Sequence, residues 1–81
     1  MRVTVRLFAR LRDIAGAGEL VRDVEPGATA SGVFERLVGE FPELGAYRQS
    51  LSAAINTSYA RMGDPVHDGD EVAFLPPVSG G

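Results

Sequence analysis

The sequence predicts one small α+β domain of two layers, in which a mixed sheet is covered on one face by one main helix. Its 81 residues, 44% of them hydrophobic, are enough for a single modest core. Period-two alternation near both ends of the chain predicts strands, and an apolar stripe at helical spacing in the middle predicts the helix. We expect residues 1–75 to form the domain and residues 76–81 to form an extended, flexible tail.

The first third of the chain predicts two antiparallel strands. Residues 2–9 alternate in the pattern of a strand with one buried face. Apolar Val3, Val5 and Leu7 alternate there with Thr4, Arg6 and Phe8. Residues 10–15 predict a single helical turn, and the glycines at 16 and 18 allow the chain to reverse. A second strand is expected over residues 20–25, ending at Pro26.

The middle of the chain predicts the main helix, over about residues 30–41. Thr29 or Ser31 can cap its start, and Pro42 ends it. The apolar stripe comprises Val33, Phe34, Leu37, Val38 and Phe41. The glycines at 32 and 39 each disfavour a helix by about 1 kcal/mol, so packing against the sheet has to hold the helix in place.

The last third predicts three short strands. Residues 51–60 are typical of a strand, a tight turn near residues 56–58 and a short partner strand. Residues 68–70 form a strong Asp-Gly-Asp turn signal, followed by an apolar strand over residues 71–75. Pro76 and Pro77 then end the sheet, because proline cannot donate a ladder hydrogen bond. The order strand, strand, helix, strand pair, strand is that of the β-grasp, or ubiquitin-like, fold.

Composition excludes several classes of function. The chain has no cysteine, which excludes a disulfide framework, a thiolate metal site and a redox thiol. All eight basic residues are arginine, so no side-chain amine is available for Schiff-base or isopeptide chemistry. The net charge of −3 argues against a nucleic-acid partner. Charge interrupts every apolar run near the start, so we expect no membrane partner and a cytoplasmic location.

Gly80 and Gly81 are the most informative positions of the sequence. A carboxylate on a thread without side chains can enter a narrow channel, and residues 76–81 reach about 20 Å when extended. Taken alone, the two glycines are also compatible with an ordinary frayed terminus. His67, the single histidine, is interpreted as solvated, and the acids at 64–71 as turn formers rather than metal ligands.

Three segments carry a family resemblance. Residues 68–81 read DGDEVAFLPPVSGG, residues 7–16 read LFARLRDIAG and residues 53–56 read AAIN. They are similar to the closing motif, the first strand with its following turn, and the central strand of MoaD-type proteins. These proteins are the small subunits of molybdopterin synthase in the ThiS/MoaD family of ubiquitin-like sulfur carriers. Residues 20–50 match only in pattern, and Leu75 stands where the family often has an aromatic residue.

The resemblance implies a sulfur carrier rather than an enzyme. An adenylating activating enzyme would consume ATP to activate the Gly81 carboxylate, and a sulfur donor would convert the acyl-adenylate into a thiocarboxylate. The large subunit of molybdopterin synthase, expected in a heterotetramer with this chain, would then transfer sulfur to cyclic pyranopterin monophosphate in molybdenum cofactor biosynthesis. Gly81 and Gly80 would carry the chemistry, with no permanently bound cofactor and no metal.

A docking surface is expected at the base of the tail. If the first and last strands are neighbours, Phe8 and Leu75 form an apolar patch on the sheet face without a helix, and Tyr59 extends it. Arg6 and Arg12 are expected at the rim of this patch, and Arg12 also beside the tail, where it can meet a partner carboxylate. The predicted partner-binding residues are Phe8, Arg12, Tyr59, Leu75, Pro76, Pro77 and Val78.

Three other functions use the same features. A ubiquitin-like modifier would ligate Gly81 to lysines of target proteins, and a thiamin-type sulfur carrier would donate sulfur in another pathway. A passive β-grasp interaction module would use no chemistry at its tail. The Pro-Pro-Val-Ser run before the glycines favours the molybdopterin synthase subunit by resemblance, and removal of Gly81 would leave only the passive module functional.

Overall fold

The computed structural model describes residues 1–77 and has the predicted β-grasp architecture. Its elements are β1 (Arg2–Leu7), α1 (Ala9–Ala15), β2 (Glu19–Asp23), α2 (Ala30–Glu40), a 3₁₀ helix (Pro42–Tyr47), β3 (Ser52–Ile55), β4 (Ser58–Ala60) and β5 (Glu71–Leu75). The strands form one sheet in the order β2-β1-β5-β3-β4. β1 and β5 are parallel and the other neighbours antiparallel, so the sheet is mixed. The first and last strands are therefore adjacent, as predicted.

The core lies between one face of the sheet and α2. The rings of Phe34 in α2 and Phe74 in β5 meet edge to face, with centroids 5.1 Å apart. Around them, the predicted sheet residues Val3, Val5, Leu7 and Val72 and the predicted helix residues Val33 and Leu37 are all buried. Val38 and Phe41, also predicted for the core, are partly buried against it. Burial of this stripe stabilises α2 despite its two glycines.

Thr29 is the residue that caps α2. Its hydroxyl accepts a hydrogen bond from the Gly32 amide at 3.1 Å, which satisfies one of the free amides at the helix start. The helix ends one residue before the predicted limit, and Phe41 caps it while Pro42 opens the 3₁₀ helix. Among residues 1–77, no helix has both the length and the apolar character needed to cross a bilayer.

Several element boundaries differ from the sequence prediction. β1 ends at Leu7 rather than at residue 9, because the backbone of Ala9 has φ +50° and turns the chain into α1. α1 has seven residues instead of a single turn, since Leu11 is buried and Gly16 closes it in the left-handed region, φ +76°. β2 covers Glu19–Asp23 rather than residues 20–25. Its pairing with β1 sets these limits, because Asp23 lies opposite Arg2, the first residue of β1.

The turn between β3 and β4 is fixed to the start of β5. Asn56 and Thr57 form it with φ of +50° and +71°, the left-handed values of a two-residue hairpin. The Asn56 side chain donates to Asp70 at 2.9 Å and accepts from the Glu71 amide at 3.0 Å. The Asn56 amide also donates to the Glu71 carbonyl at 2.8 Å. These three bonds hold the hairpin turn in one position against the sheet.

Candidate functional site

An open groove of about 350 Å³ runs along the sheet face that α2 leaves uncovered, and we call it the outer groove. Its lining comprises Arg6, Phe8, Ala54, Thr57, Tyr59, Glu71, Ala73 and Leu75. The pleat explains the lining residues of β1, β3 and β5, because Arg6, Ala54 and Ala73 alternate with buried residues. Tyr59 joins them because it pairs with Ala54. The predicted patch of Phe8, Tyr59 and Leu75 thus comes together on one surface.

Two alanines form the floor of the outer groove. Ala54 pairs with Tyr59 on one side and with Ala73 on the other, and Ala73 pairs with Arg6. Tyr59 is 88% exposed and Phe8 is 39% exposed, so two aromatic rings stand at a floor of small side chains. An exposed apolar surface with aromatic walls is typical of a protein docking site.

Arg6 supplies positive charge between the acids of its neighbouring strands. Its guanidinium lies 3.9 Å from a Glu19 oxygen and 3.8 Å from a Glu71 oxygen, and 5.9 Å from the centre of the Phe8 ring. Ion pairs this long and this exposed contribute little stability. The Arg6 side chain can therefore exchange these partners for a carboxylate on a docking protein.

The base of the tail lies at the apolar end of the outer groove. β5 ends at Leu75, and its parallel pairing with β1 aligns Phe74 with Leu7, so Leu75 and Phe8 follow side by side. Pro76 and Pro77 are the last described residues and have left the sheet. The other predicted tail residues, Val78, Gly80 and Gly81, lie outside the described residues. The tail therefore starts beside the outer groove.

Arg12 occupies a different place from the one predicted. A Cβ atom added at Gly18 would lie 3.4 Å from the Arg12 side chain, so this side chain packs against the residue that precedes β2. Gly18 hydrogen-bonds to the Leu7 amide, on the side of β1 away from β5. Arg12 does not line the outer groove. Its role in partner binding stays a prediction.

The aspartates of residues 64–70 shape turns, as predicted, whereas Glu71 lies in β5 and lines the outer groove. Asp68 accepts the Arg2 amide at 2.7 Å, and Asp70 accepts the His67 amide at 2.7 Å. Hydrogen bonds from Asn56, and then from His67, lower the pKa of Asp70. The His67 ring is exposed, 3.7 Å from an Asp70 oxygen. Within residues 1–77 the acids and the histidine gather into no metal-binding cluster.

A second, larger groove of about 590 Å³ lies on the other layer of the molecule. It is lined by the loop between β2 and α2 and by the first turns of α2, including Glu25, Thr29, Glu35 and Arg36. None of the predicted site residues lies in it. Its greater volume does not make it the functional site, because the tail begins at the outer groove.

Sequence reasoning missed four residues that line the outer groove, namely Ala54, Ala73, Thr57 and Glu71. Ala54 and Ala73 alternate with buried neighbours, so strand periodicity would have placed them on the face of Tyr59 and Leu75. For Thr57, the sequence pattern predicts only a place in the turn near residues 56–58. Its place in the groove depends on how the hairpin folds onto β5, which no local pattern gives.

Comparison with known proteins places this architecture in one family. The model of the ThiS family matches residues 5–81. A molybdopterin synthase sulfur carrier subunit from Chlamydomonas reinhardtii is 34% identical over 83 residues, with all of both chains covered. Small archaeal modifier protein 1 from Haloferax volcanii is 34% identical over 84 residues, with 94% of this chain and 97% of the relative covered. The crystal structure of SAMP1 from Haloferax volcanii superposes with a TM-score of 0.87 at 32% identity, again over all of both chains. A family model that spans nearly the whole sequence, together with full-length relatives of the same fold, shows that the chain belongs to the ThiS family.

Proposed function

We propose that this protein is the sulfur-carrier subunit of a molybdopterin synthase. An activating enzyme forms a mixed anhydride between the Gly81 carboxylate and AMP, with release of pyrophosphate from ATP. A sulfur donor then displaces AMP and leaves a thiocarboxylate on Gly81. The large subunit, in a heterotetramer with this chain, uses that thiocarboxylate to transfer sulfur to cyclic pyranopterin monophosphate.

The full-length likeness to a sulfur carrier subunit is the observation that carries this proposal. The chemistry is also reasonable for the residues present. A carboxylate is a poor acyl donor, whereas its adenylate is a good one, and two glycines give little steric hindrance to the attacking group. The chain brings no cysteine that could compete for the activated carbonyl. The carrier supplies the reagent, and the catalytic side chains belong to its partners.

The outer groove is the surface we propose for docking of the large subunit. It is apolar at its floor, aromatic at its walls and adjacent to the start of the tail. Docking there would aim the tail into the partner, because Leu75 belongs both to the groove and to the end of β5. Contacts between the outer groove and the large subunit would fix the start of the tail. The tail would then lose less conformational entropy when it enters the active site of the large subunit.

Phe8→Asp tests the docking surface. The exposed Phe8 ring contributes little to the core, so the variant should fold, while a buried carboxylate in the interface should abolish binding to the large subunit. Val21→Asp is the matched control, because Val21 is 48% exposed on the same sheet face but lies outside the groove. A calorimetric titration in which Phe8→Asp binds like the wild type would refute the surface.

The reaction itself is tested by reconstitution with activating enzyme, ATP, a sulfur source, the large subunit and the pterin precursor. The wild type should form the adenylate and yield molybdopterin, and a variant lacking Gly81 should do neither. His67→Ala should be fully active, since no side chain of this protein acts as acid or base in the proposed reaction. Activity without Gly81, or loss of activity in a folded His67→Ala variant, would contradict the proposal.

Protein modification is the second candidate function, and the likeness to a small archaeal modifier protein favours it. The same activated Gly81 would then acylate lysines of other proteins. Because the sequence contains no lysine, its own side chains cannot accept such a bond, and chains linked through this protein would not form. The reconstitution repeated with added cell extract as a source of target proteins separates the two functions, since a modifier would give covalent conjugates of those proteins and no molybdopterin.

A further inference from the structure

Thr57 has an unfavourable backbone conformation that nothing in the isolated domain requires of a threonine. Its φ of +71° lies in the left-handed region, which hairpin turns of this length usually fill with glycine. A β-branched side chain is strained there, because its Cβ substituents crowd the adjacent backbone. A glycine at this position would adopt the same φ without strain.

The neighbouring contacts explain why Thr57 cannot relax. Asn56 is tied by its side chain to Asp70 and to the Glu71 amide, and by its own amide to the Glu71 carbonyl. On the other side, β4 resumes pairing at once, with Ser58 opposite Ile55. The turn is therefore held from both ends, and Thr57 keeps its left-handed conformation whatever residue occupies the position.

The Thr57 side chain does little for the free domain. The residue is exposed, and no side-chain hydrogen bond within residues 1–77 uses its hydroxyl. It does, however, line the outer groove together with Tyr59 and Leu75. A strained residue whose side chain faces a docking surface is typical of a position where function opposes stability.

We propose that Thr57 is a contact residue for the protein that covers the outer groove, retained there although it destabilises the free domain. The inference rests on the proposed function, which makes the large subunit that protein. Its methyl group would extend the apolar wall beside Tyr59, and its free hydroxyl would exchange a hydrogen bond with the partner.

Two substitutions separate the backbone from the side chain. Thr57→Gly removes both the strain and the contact, whereas Thr57→Ala removes the contact and leaves a non-glycine residue in the left-handed region. We expect Thr57→Gly to unfold at a higher denaturant concentration than the wild type, and both variants to bind the large subunit about fivefold more weakly or worse. Ser58→Ala, exposed on the next residue but outside the groove, should change neither quantity.

The combined outcomes leave the inference either supported or overturned. A gain of stability in Thr57→Gly, with weaker binding in both variants, supports it. Wild-type affinity in either variant, or a loss of stability in Thr57→Gly, overturns it while the proposed function stands. If the wild type itself shows no binding to the large subunit, the proposed function fails and the inference fails with it.

Discussion

Two phenylalanines at the paired ends of neighbouring strands show how the pleat assigns a role to a residue. Phe74 points toward α2 and is fully buried, in edge-to-face contact with Phe34. Phe8 follows directly after β1, on the opposite face, and is 39% exposed at the outer groove. Phenylalanine thus stabilises the core at position 74, whereas at position 8 it forms part of the proposed docking surface.

Phe74→Ala should therefore lower the free energy of unfolding by about 3 to 5 kcal/mol, through lost burial and the cavity left beside Phe34. Phe8→Ala is the control, and it should lower the free energy of unfolding much less than Phe74→Ala, because Phe8 lies outside the core and is 39% exposed. Chemical denaturation measures both. An unchanged midpoint in Phe74→Ala would remove that residue from the core.

Single positions could be predicted from the sequence where strand alternation alone decides the side-chain direction. That rule assigned Leu7 and Phe74 inward and Phe8 and Leu75 outward, and the structure confirms all four placements. Arg12 could not be placed, because it lies on α1, whose direction depends on the left-handed turn at Ala9. Alanine gives no sequence signal for such a turn, since glycine or asparagine usually marks it.

At the scale of elements, long periodic segments could be predicted and short ones could not. α2 has an apolar stripe and a capping threonine, and its predicted range differs from the observed one by a single residue. The 3₁₀ helix from Pro42 to Tyr47 was not predicted, because it buries only Leu44 and six residues show no period. Such a segment is ordered by packing against α2 and α1, which is information that its own sequence lacks.

Gly39→Ala tests the view that the low helix propensity of glycine weakens α2 at this position. A Cβ atom at Gly39 would meet nothing within 4 Å, so alanine should raise the free energy of unfolding by about 0.5 to 1 kcal/mol. Gly16→Ala is the contrasting control, since φ of +76° at the end of α1 makes alanine destabilising there. Thermal unfolding in which Gly39→Ala is no more stable than the wild type would contradict this account of the helix.

At the scale of the whole molecule, ion pairs between glutamate and arginine side chains join elements that are distant in sequence. Glu35 in α2 accepts two hydrogen bonds from Arg48, at 2.6 and 2.7 Å, and Glu40 in α2 accepts the Arg22 guanidinium of β2 at 2.8 Å. These hydrogen bonds lower the pKa of Glu35 and of Glu40 from their ordinary value of 4.5. The pKa of Asp70 is lowered from its ordinary value of 3.8, first by the hydrogen bond from the Asn56 side chain and then by that from the His67 backbone amide.

The direction of these shifts predicts how stability depends on pH. A carboxyl whose pKa is lower in the folded state binds fewer protons there, so its stabilising effect is present above the unfolded pKa and is lost as pH falls through the folded pKa. The free energy of unfolding should thus decrease as pH falls below about 5, where carboxyls begin to bind protons in the unfolded state. Glu40→Gln should weaken this dependence, because it removes the carboxylate that accepts hydrogen bonds from Arg22. Stability that rises on acidification would contradict the assignment.

The whole fold could be predicted because all its large elements agree with one topology. The mixed sheet and the helix on one face follow from the order of the elements and the need to bury one stripe. The strand order β2-β1-β5-β3-β4 and the parallel direction of β1 and β5 are findings of the structure. The candidate site could be predicted only in part. Its aromatic residues follow from alternation, but Thr57 and Glu71 enter it through the contact between the hairpin turn and β5.

The central claim is that the last carboxylate of the sequence carries sulfur, and the intact mass of the protein tests it most directly. Protein purified from cells that contain its activating enzyme and sulfur donor should include a species heavier by the difference between one sulfur and one oxygen atom. Fragmentation should place that difference on Gly81, and the variant lacking Gly81 should show none of it. A mass that never changes when activating enzyme, ATP and sulfur source are all present, or added sulfur located on any residue other than Gly81, would contradict the account.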